Sequence, residues 1–245
     1  MNRIRGVLLD LGETLVHLAN PWEEVFEAEV RALYAYLNDA GVKTDFQKFS
    51  TAFVSAFDDA TSTANLYRIE IPMEEIIATV VGKFGVRNPY QGFIQGAVEQ
   101  YYRPEIASWQ LFPDTMEALT SLEKNGYLLG LISNAKSAWQ VNSILRKFNL
   151  TRFFKVILIS ASLRMRKPRR DVFLNALDKL KLTPKETVFI GNSIDADVIG
   201  SRSVGMRAIH LRREPPDRDL NVDPDATVSS LSDAVNVVND WAKIT

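Results

Sequence analysis

Residues able to do nucleophilic, acid–base or cation chemistry recur at one kind of place in this sequence, just after a short apolar run. Asp10 follows Gly6-Val7-Leu8-Leu9, Ser133 and Asn134 follow Leu131-Ile132, and Gly191-Asn192, with Asp195 and Asp197, follow Val188-Phe189-Ile190. Lys167 lies in a basic loop, Arg164 to Arg170, beyond the run ending at Ile159. A carboxylate can be a nucleophile, a base or a cation ligand, a hydroxyl can donate a hydrogen bond, and an ammonium can offset negative charge. Opposed charges around one crevice suit an anionic substrate with a bound cation. Other chemistries have no material. The chain has 0 Cys and 2 His, so thiolate zinc sites, disulfides and three-His metal cages are excluded. A Ser-His-Asp triad would have to use His17 or His210.

The apolar runs are the elements that must position these groups. Continuous runs mark strands buried on both faces. The candidates are Gly6–Leu9, Tyr127–Ile132, Lys155–Ile159, Thr187–Ile190, Arg207–Leu211 and Ala226–Val228. Helical patterns lie between them at Thr115–Lys124, Ser137–Phe148, Arg170–Leu180 and Asp233–Ala242. Alternation of this kind predicts a doubly wound, mostly parallel α/β sheet, whose ligands bind beyond the carboxyl ends of its strands. Residues 20–104 break the alternation. Asn20 before Pro21 predicts a helix closing at Gly41, Thr44 predicts a cap for a second, Pro72 starts a third, and Pro89 starts a fourth ending at Arg103 before Pro104. Phe46, Phe49, Phe53 and Phe57, spaced three, four and four apart, read as the core stripe of a helical bundle. The expected organisation is a core of residues 1–18 and 105–245 with an all-helical insertion at 19–104. Glu214 to Asp225, with its prolines, reads as a surface loop.

Composition narrows the partners. A chain of 245 residues with net charge -1 has no global field for nucleic acid. No apolar run approaches the ~18–20 residues of a membrane span. The basic start Met1-Asn2-Arg3-Ile4-Arg5 is followed by an apolar run that breaks at Asp10, too early for a secretory leader. A cytoplasmic protein is the expectation, and the sequence does not give its oligomeric state.

Taken in order, the four clusters make the chain resemble the haloacid dehalogenase-like (HAD) hydrolases over nearly its whole length. Asp10-Leu11-Gly12-Glu13-Thr14 resembles the first family motif, Ser133 the second, Lys167-Pro168 the third, and Gly191-Asn192 with Asp197 the fourth. The helical insertion resembles the family's cap. The resemblance implies a Rossmann-like HAD core and a phosphatase acting on a small phosphorylated metabolite. Asp10 would be the nucleophile, forming an aspartyl phosphate. Lys167 would neutralise charge, Ser133 and Asn134 would serve the substrate, and Thr14 would orient the first motif. Mg²⁺ would be held by Asp10, the carbonyl of Gly12, Asn192 and Asp197.

Two positions depart from the family pattern. Gly12 stands where a phosphatase carries the Asp that protonates the leaving group, help worth about 10²–10⁴-fold. Asn192 replaces an Asp and offers magnesium an uncharged oxygen. Besides a phosphatase, the residues leave open a 2-haloacid dehalogenase using Asp10 without metal, with Arg31 or Arg68 as its cap arginine. They also leave open a weakened HAD-fold binding protein. Bland roles are expected elsewhere: a solvated basic loop for the arginines near Lys167, a helix N-terminus for Asp195, a hinge for His17 and a structural place for His210.

Overall fold

All six apolar runs become neighbours in one sheet. The structure is a computed structural model and describes residues 3–87, 89–213 and 222–243. Strands β1 (Gly6–Leu9), β4 (Leu128–Ser133), β5 (Phe154–Ile159), β6 (Thr187–Gly191), β7 (Arg207–Leu211) and β8 (Ala226–Val228) form the order β5-β4-β1-β6-β7-β8. Every registered pair in this sheet is parallel. Each residue of β1 and β6 is buried, as runs covered on both faces must be. Helices α5 (Thr115–Lys124), α6 (Ala138–Lys147) and α10 (Leu231–Lys243) cover one face through Leu119, Ile144 and Val235. Helix α8 (Arg170–Leu180) covers the other through Phe173 and Leu177. The chain passes from β1 to β4 and β5 on one side, then returns to β6, β7 and β8 on the other. A crevice therefore opens beside the carboxyl end of β1, where the strand order reverses.

Four helices form the insertion: α1 (Trp22–Asp39), α2 (Phe46–Tyr67), α3 (Met73–Lys83) and α4 (Gln91–Ser108). They share their own apolar cluster, centred on Leu33, Phe49, Phe53, Ile77 and Tyr101. The expected caps move by one residue. Asn20 does not cap α1; its Oδ1 accepts instead from Ser108 Oγ at 3.1 Å, tying the start of the insertion to its end. Asp45, not Thr44, caps α2, because its carboxylate accepts from the Lys48 amide at 2.9 Å. Pro104 does not end α4, which runs on to Ser108. Buried Tyr101, Tyr102, Glu105 and Ser108 anchor the helix on both sides of the proline, which outweighs the one backbone bond lost.

Two further strands, of three residues each, are too short to show a period in the sequence. Strand β2 (Val16–Leu18) pairs antiparallel with β3 (Trp109–Leu111), so the way into the insertion and the way out run side by side. His17 lies on this ribbon, its ring packed at a tilt against Phe112 with centroids 4.7 Å apart. Helices α7 (Ser160–Leu163) and α9 (Gly200–Ser203) are single turns. Of the proline-rich loop expected at 214–225, residues 214–221 lie outside the described residues. Among the described residues, no helix is long and apolar enough to cross a membrane.

Candidate active site

Strand ends bring the sequence-expected residues together. The Asp10 amide donates to the Ile190 carbonyl at 3.0 Å, which extends the β1–β6 pairing and fixes the Asp10 backbone. The chain then turns tightly: the Leu15 amide donates to the Leu11 carbonyl at 2.8 Å, and Glu13 adopts a left-handed φ of 54°. Ser133 is the last residue of β4 and is buried. Asn134 spends its amide on the next loop, accepting from the Lys167 amide at 2.9 Å and donating to the Lys167 carbonyl at 3.0 Å. That reciprocal pair is why the long basic loop delivers Lys167 to one place.

The Lys167 ammonium is 2% exposed and donates to Asp10 Oδ1 at 2.7 Å and to Asp197 Oδ1 at 2.7 Å. Burial works against its charge, yet Asp10 and Asp197 together outweigh burial and hold its pKa above the ordinary lysine value. Asp197 Oδ2 accepts from the Ser193 amide at 2.9 Å, so both Asp197 oxygens are occupied. Burial pushes the Asp197 carboxyl upward, Lys167 pulls it back, and Asp10 adds to the rise. Asp10 keeps Oδ2 out of this network, and no hydrogen bond among the described residues engages Ser133 Oγ.

Asp10, Gly12, Ser133, Asn134, Lys167 and Asp197 line one cavity of about 440 Å³. Two expected members do not. Thr14 is fully buried, and its Oγ1 has no hydrogen-bond partner among the described residues. Asn192 lies outside the lining; its carbonyl contacts His210 Nε2 at 3.0 Å, which gives His210 its structural place.

The insertion supplies the opposite wall through Trp22, Phe57, Tyr101, Tyr102 and Glu105. Phe49 and Phe53 are bundle core, but Phe57 reaches the cavity at the end of the stripe, so the core reading holds only for the middle of that stripe. Trp109 of β3 completes the wall. Glu105 accepts from Trp109 Nε1 at 3.2 Å and from Gln140 Nε2 at 2.5 Å, and burial pushes its carboxyl up to about 7. Fully buried Glu29 stands near it, raised well above the carboxylate range by burial and by the Glu105 charge. One signal for this wall was present in the sequence: Glu105 and Glu29 are carboxylates on otherwise apolar helical stripes, with Val98-Tyr101 and Val25-Leu33 beside them.

The basic loop is not simply solvated. Arg164 pairs with Glu75 at 2.5 Å and Arg166 with Glu70 at 3.7 Å, both on the insertion. Asp195 pairs with Arg68 of the insertion at 3.1 Å. Lys136 joins buried Glu70 at 3.5 Å while lining the cavity. Arg31 pairs with Glu27 at 2.6 Å, and neither Arg31 nor Arg68 lines the cavity.

Residues 32–211 match the sequence profile of the haloacid dehalogenase-like hydrolases. The chain belongs to that family. This HAD hydrolase is 24% identical over 241 residues to the glyceraldehyde 3-phosphate phosphatase of Methanocaldococcus jannaschii, covering 98% of this chain and 99% of that one. It is also 24% identical to haloacid dehalogenase-like hydrolase domain-containing protein 3 of Danio rerio, over 94% of each chain. Among solved structures it is similar to a 2-haloacid dehalogenase of Pseudomonas syringae, with TM-score 0.71, 23% identity, and coverage of 97% and 99%. A HAD phosphatase of Thermococcus onnurineus gives TM-score 0.63 at 22% identity, with coverage of 96% and 98%. The structural likenesses carry the fold; the α/β core and its helical insertion are shared.

Proposed function

We propose that this HAD hydrolase is a phosphomonoesterase working through an aspartyl phosphate at Asp10. The carrying observation is the meeting of Asp10, Ser133 and Lys167 in one cavity, with Asp10 Oδ1 held by the ammonium and Oδ2 left to react. Oδ2 attacks phosphorus, the bond to the ester oxygen breaks, and that oxygen leaves with the electron pair. Lys167 offsets the repulsion between carboxylate and phosphate, and Ser133 Oγ donates to a phosphoryl oxygen. Water then hydrolyses the aspartyl phosphate, freeing phosphate and regenerating Asp10.

Magnesium fits this site as a loosely held ion. Asp10 and the Gly12 carbonyl would hold it, since both residues line the cavity, whereas the Asn192 side chain lies outside the lining and both Asp197 oxygens are already taken. Among the described residues no group of three His, Cys, Asp or Glu side chains gathers to form a cage. Such an ion leans on one carboxylate and on substrate phosphate, a usual arrangement for magnesium. When bound, it supplies positive charge against the phosphoryl oxygens.

Residues 19–104 act as a cap in this reading, since Trp22, Phe57 and Tyr102 face Asp10 across the cavity. The phosphatase names of the archaeal relatives support a small phosphorylated substrate. The dehalogenase reading gains nothing from the cavity, because neither Arg31 nor Arg68 lines it. The test is phosphate release from phenyl phosphate with magnesium. The wild type should release phosphate and Asp10→Asn should not; equal rates would remove Asp10 from the mechanism.

A further inference from the structure

We infer that the substrate's leaving group is aryl: the site accepts a phosphorylated phenol, presses it against Trp109 and expels it as a phenolate. The inference rests on the phosphatase reading and narrows its substrate class.

The first support is the relation between Gly12 and Trp109. A Cβ built at position 12 would lie 3.4 Å from Trp109 Cη2. The space that a side chain at this position would enter is bordered by an indole ring. Glu105 fixes that ring through Nε1 at 3.2 Å, and Gln140 in turn holds Glu105 at 2.5 Å. The site has given up a proton donor at position 12 and presents a flat, anchored apolar face beside it.

The second support is the wall beyond. Trp22, Phe57, Tyr101 and Tyr102 join Trp109 around the cavity. A polyol leaving group would find polar groups of this wall already engaged, Glu105 by Trp109 and Gln140, and Lys136 by Glu70, so its hydroxyls would exchange bonds to water for few new ones. An aromatic ring meets partners of its own kind there.

The chemistry of departure agrees with both. An alkoxide is about as basic as hydroxide and needs a proton as it leaves. A phenol ionises near pH 10, like tyrosine, so a phenolate leaves without one. Asp10 Oδ2 bonds to phosphorus, the phosphorus–aryl oxygen bond breaks, and the pair stays on the phenolate. The phenolate takes its proton from water after leaving. A second water cleaves the aspartyl phosphate. The sum is ester plus water giving phenol plus inorganic phosphate.

The experiment compares phenyl phosphate with cyclohexyl phosphate, a pair alike in size and apolar character, and with glyceraldehyde 3-phosphate. The expected kcat/KM for the phenyl ester exceeds that for both alkyl esters by about 100-fold or more, the low end of general-acid help. Gly12→Asp should raise the rate on cyclohexyl phosphate more than on phenyl phosphate. Trp109→Leu should lower kcat/KM for phenyl phosphate about two- to tenfold, leave inhibition by inorganic phosphate unchanged, and be rescued by Trp109→Phe. Equal rates on the aryl and alkyl esters, or faster release from glyceraldehyde 3-phosphate, would overturn the aryl assignment and leave the phosphatase intact. An unchanged Trp109→Leu would overturn it too. Silence toward all three esters removes the phosphatase reading, and this assignment with it.

Discussion

Lys167 and Asp197 are a buried ion pair, 2.7 Å apart, with side chains 2% and 1% exposed. Asp10 shares the same ammonium at 2.7 Å. One cation therefore serves two carboxylates in a place where water is scarce. Removing one member of a buried pair leaves an uncompensated charge and costs about 3–5 kcal/mol. Lys167→Met should lose that much stability in urea unfolding, and phosphate release should disappear with it. A variant as stable as the wild type would show that something other than this ammonium balances the two carboxylates.

Glu105 ties stability to pH. Burial lifts its carboxyl from 4.5 to about 7. In the folded chain it keeps its proton at pH values where the unfolded chain has lost it. The unfolded state then binds fewer protons, so stability falls as pH rises from about 4.5 through 7. A shift of this size corresponds to roughly 3 kcal/mol. Glu105→Gln removes the titration and keeps the shape. Between pH 5 and pH 8 the wild type should lose about 2.5 kcal/mol relative to the variant, the rest of the effect falling below pH 5. Parallel unfolding curves at both pH values would mean that Glu105 ionises alike in the two states.

The sheet was legible because its strands are buried on both faces and read as unbroken apolar runs. Gly6–Leu9, Arg207–Leu211 and Ala226–Val228 form strands over the spans that the sequence predicts. The groups after those runs were legible for the same reason, since a strand end fixes where Asp10 and Ser133 must stand. The cavity wall was not. Trp22 and Phe57 lie on helical stripes, and periodicity assigns a stripe to the core without saying where the core stops. Trp22 is 45% exposed at one such end. Asn192 shows the converse: its position in a motif suggested a ligand, yet its side chain does not line the cavity. A motif specifies order along the chain, whereas the pairing of Asn134 with Lys167 decides which loop reaches the centre.

Glu70 fastens the insertion to the core. It is buried, accepts from Ser160 Oγ at 2.8 Å, and lies between Lys136 at 3.5 Å and Arg166 at 3.7 Å. The Met73 amide adds a backbone bond to the Lys136 carbonyl at 2.8 Å. Glu70→Ala would leave two cations without their carboxylate. The expected cost is about 3 kcal/mol, the low end for a buried pair because both cations keep some water. Lys136 also lines the cavity, so its release should raise KM as well. Glu70→Gln keeps the Ser160 bond and should cost less. If the two variants unfold at the same urea concentration, charge at Glu70 is not what holds the insertion.

Gly191 bears on Asp197 without altering any charge. A Cβ at position 191 would lie 2.3 Å from Asp197 Oδ2 and 2.5 Å from its Cγ. Asp197 cannot yield cheaply, since Lys167 and the Ser193 amide hold its two oxygens. Gly191→Ala must therefore move the carboxylate or the strand end. Overpacking of this kind costs about 1–3 kcal/mol. The larger effect falls on rate: a misplacement of about 1 Å in a catalytic array can cost about 100-fold. Gly82 is the control. It lies in α3, where an added Cβ would meet nothing within 4 Å, and Gly82→Ala should stabilise the chain by about 0.5–1 kcal/mol. Rates and unfolding curves for the two alanine variants decide the matter. A fully active Gly191→Ala enzyme would mean that the exact seat of Asp197 does not govern how Lys167 presents Asp10 to phosphorus.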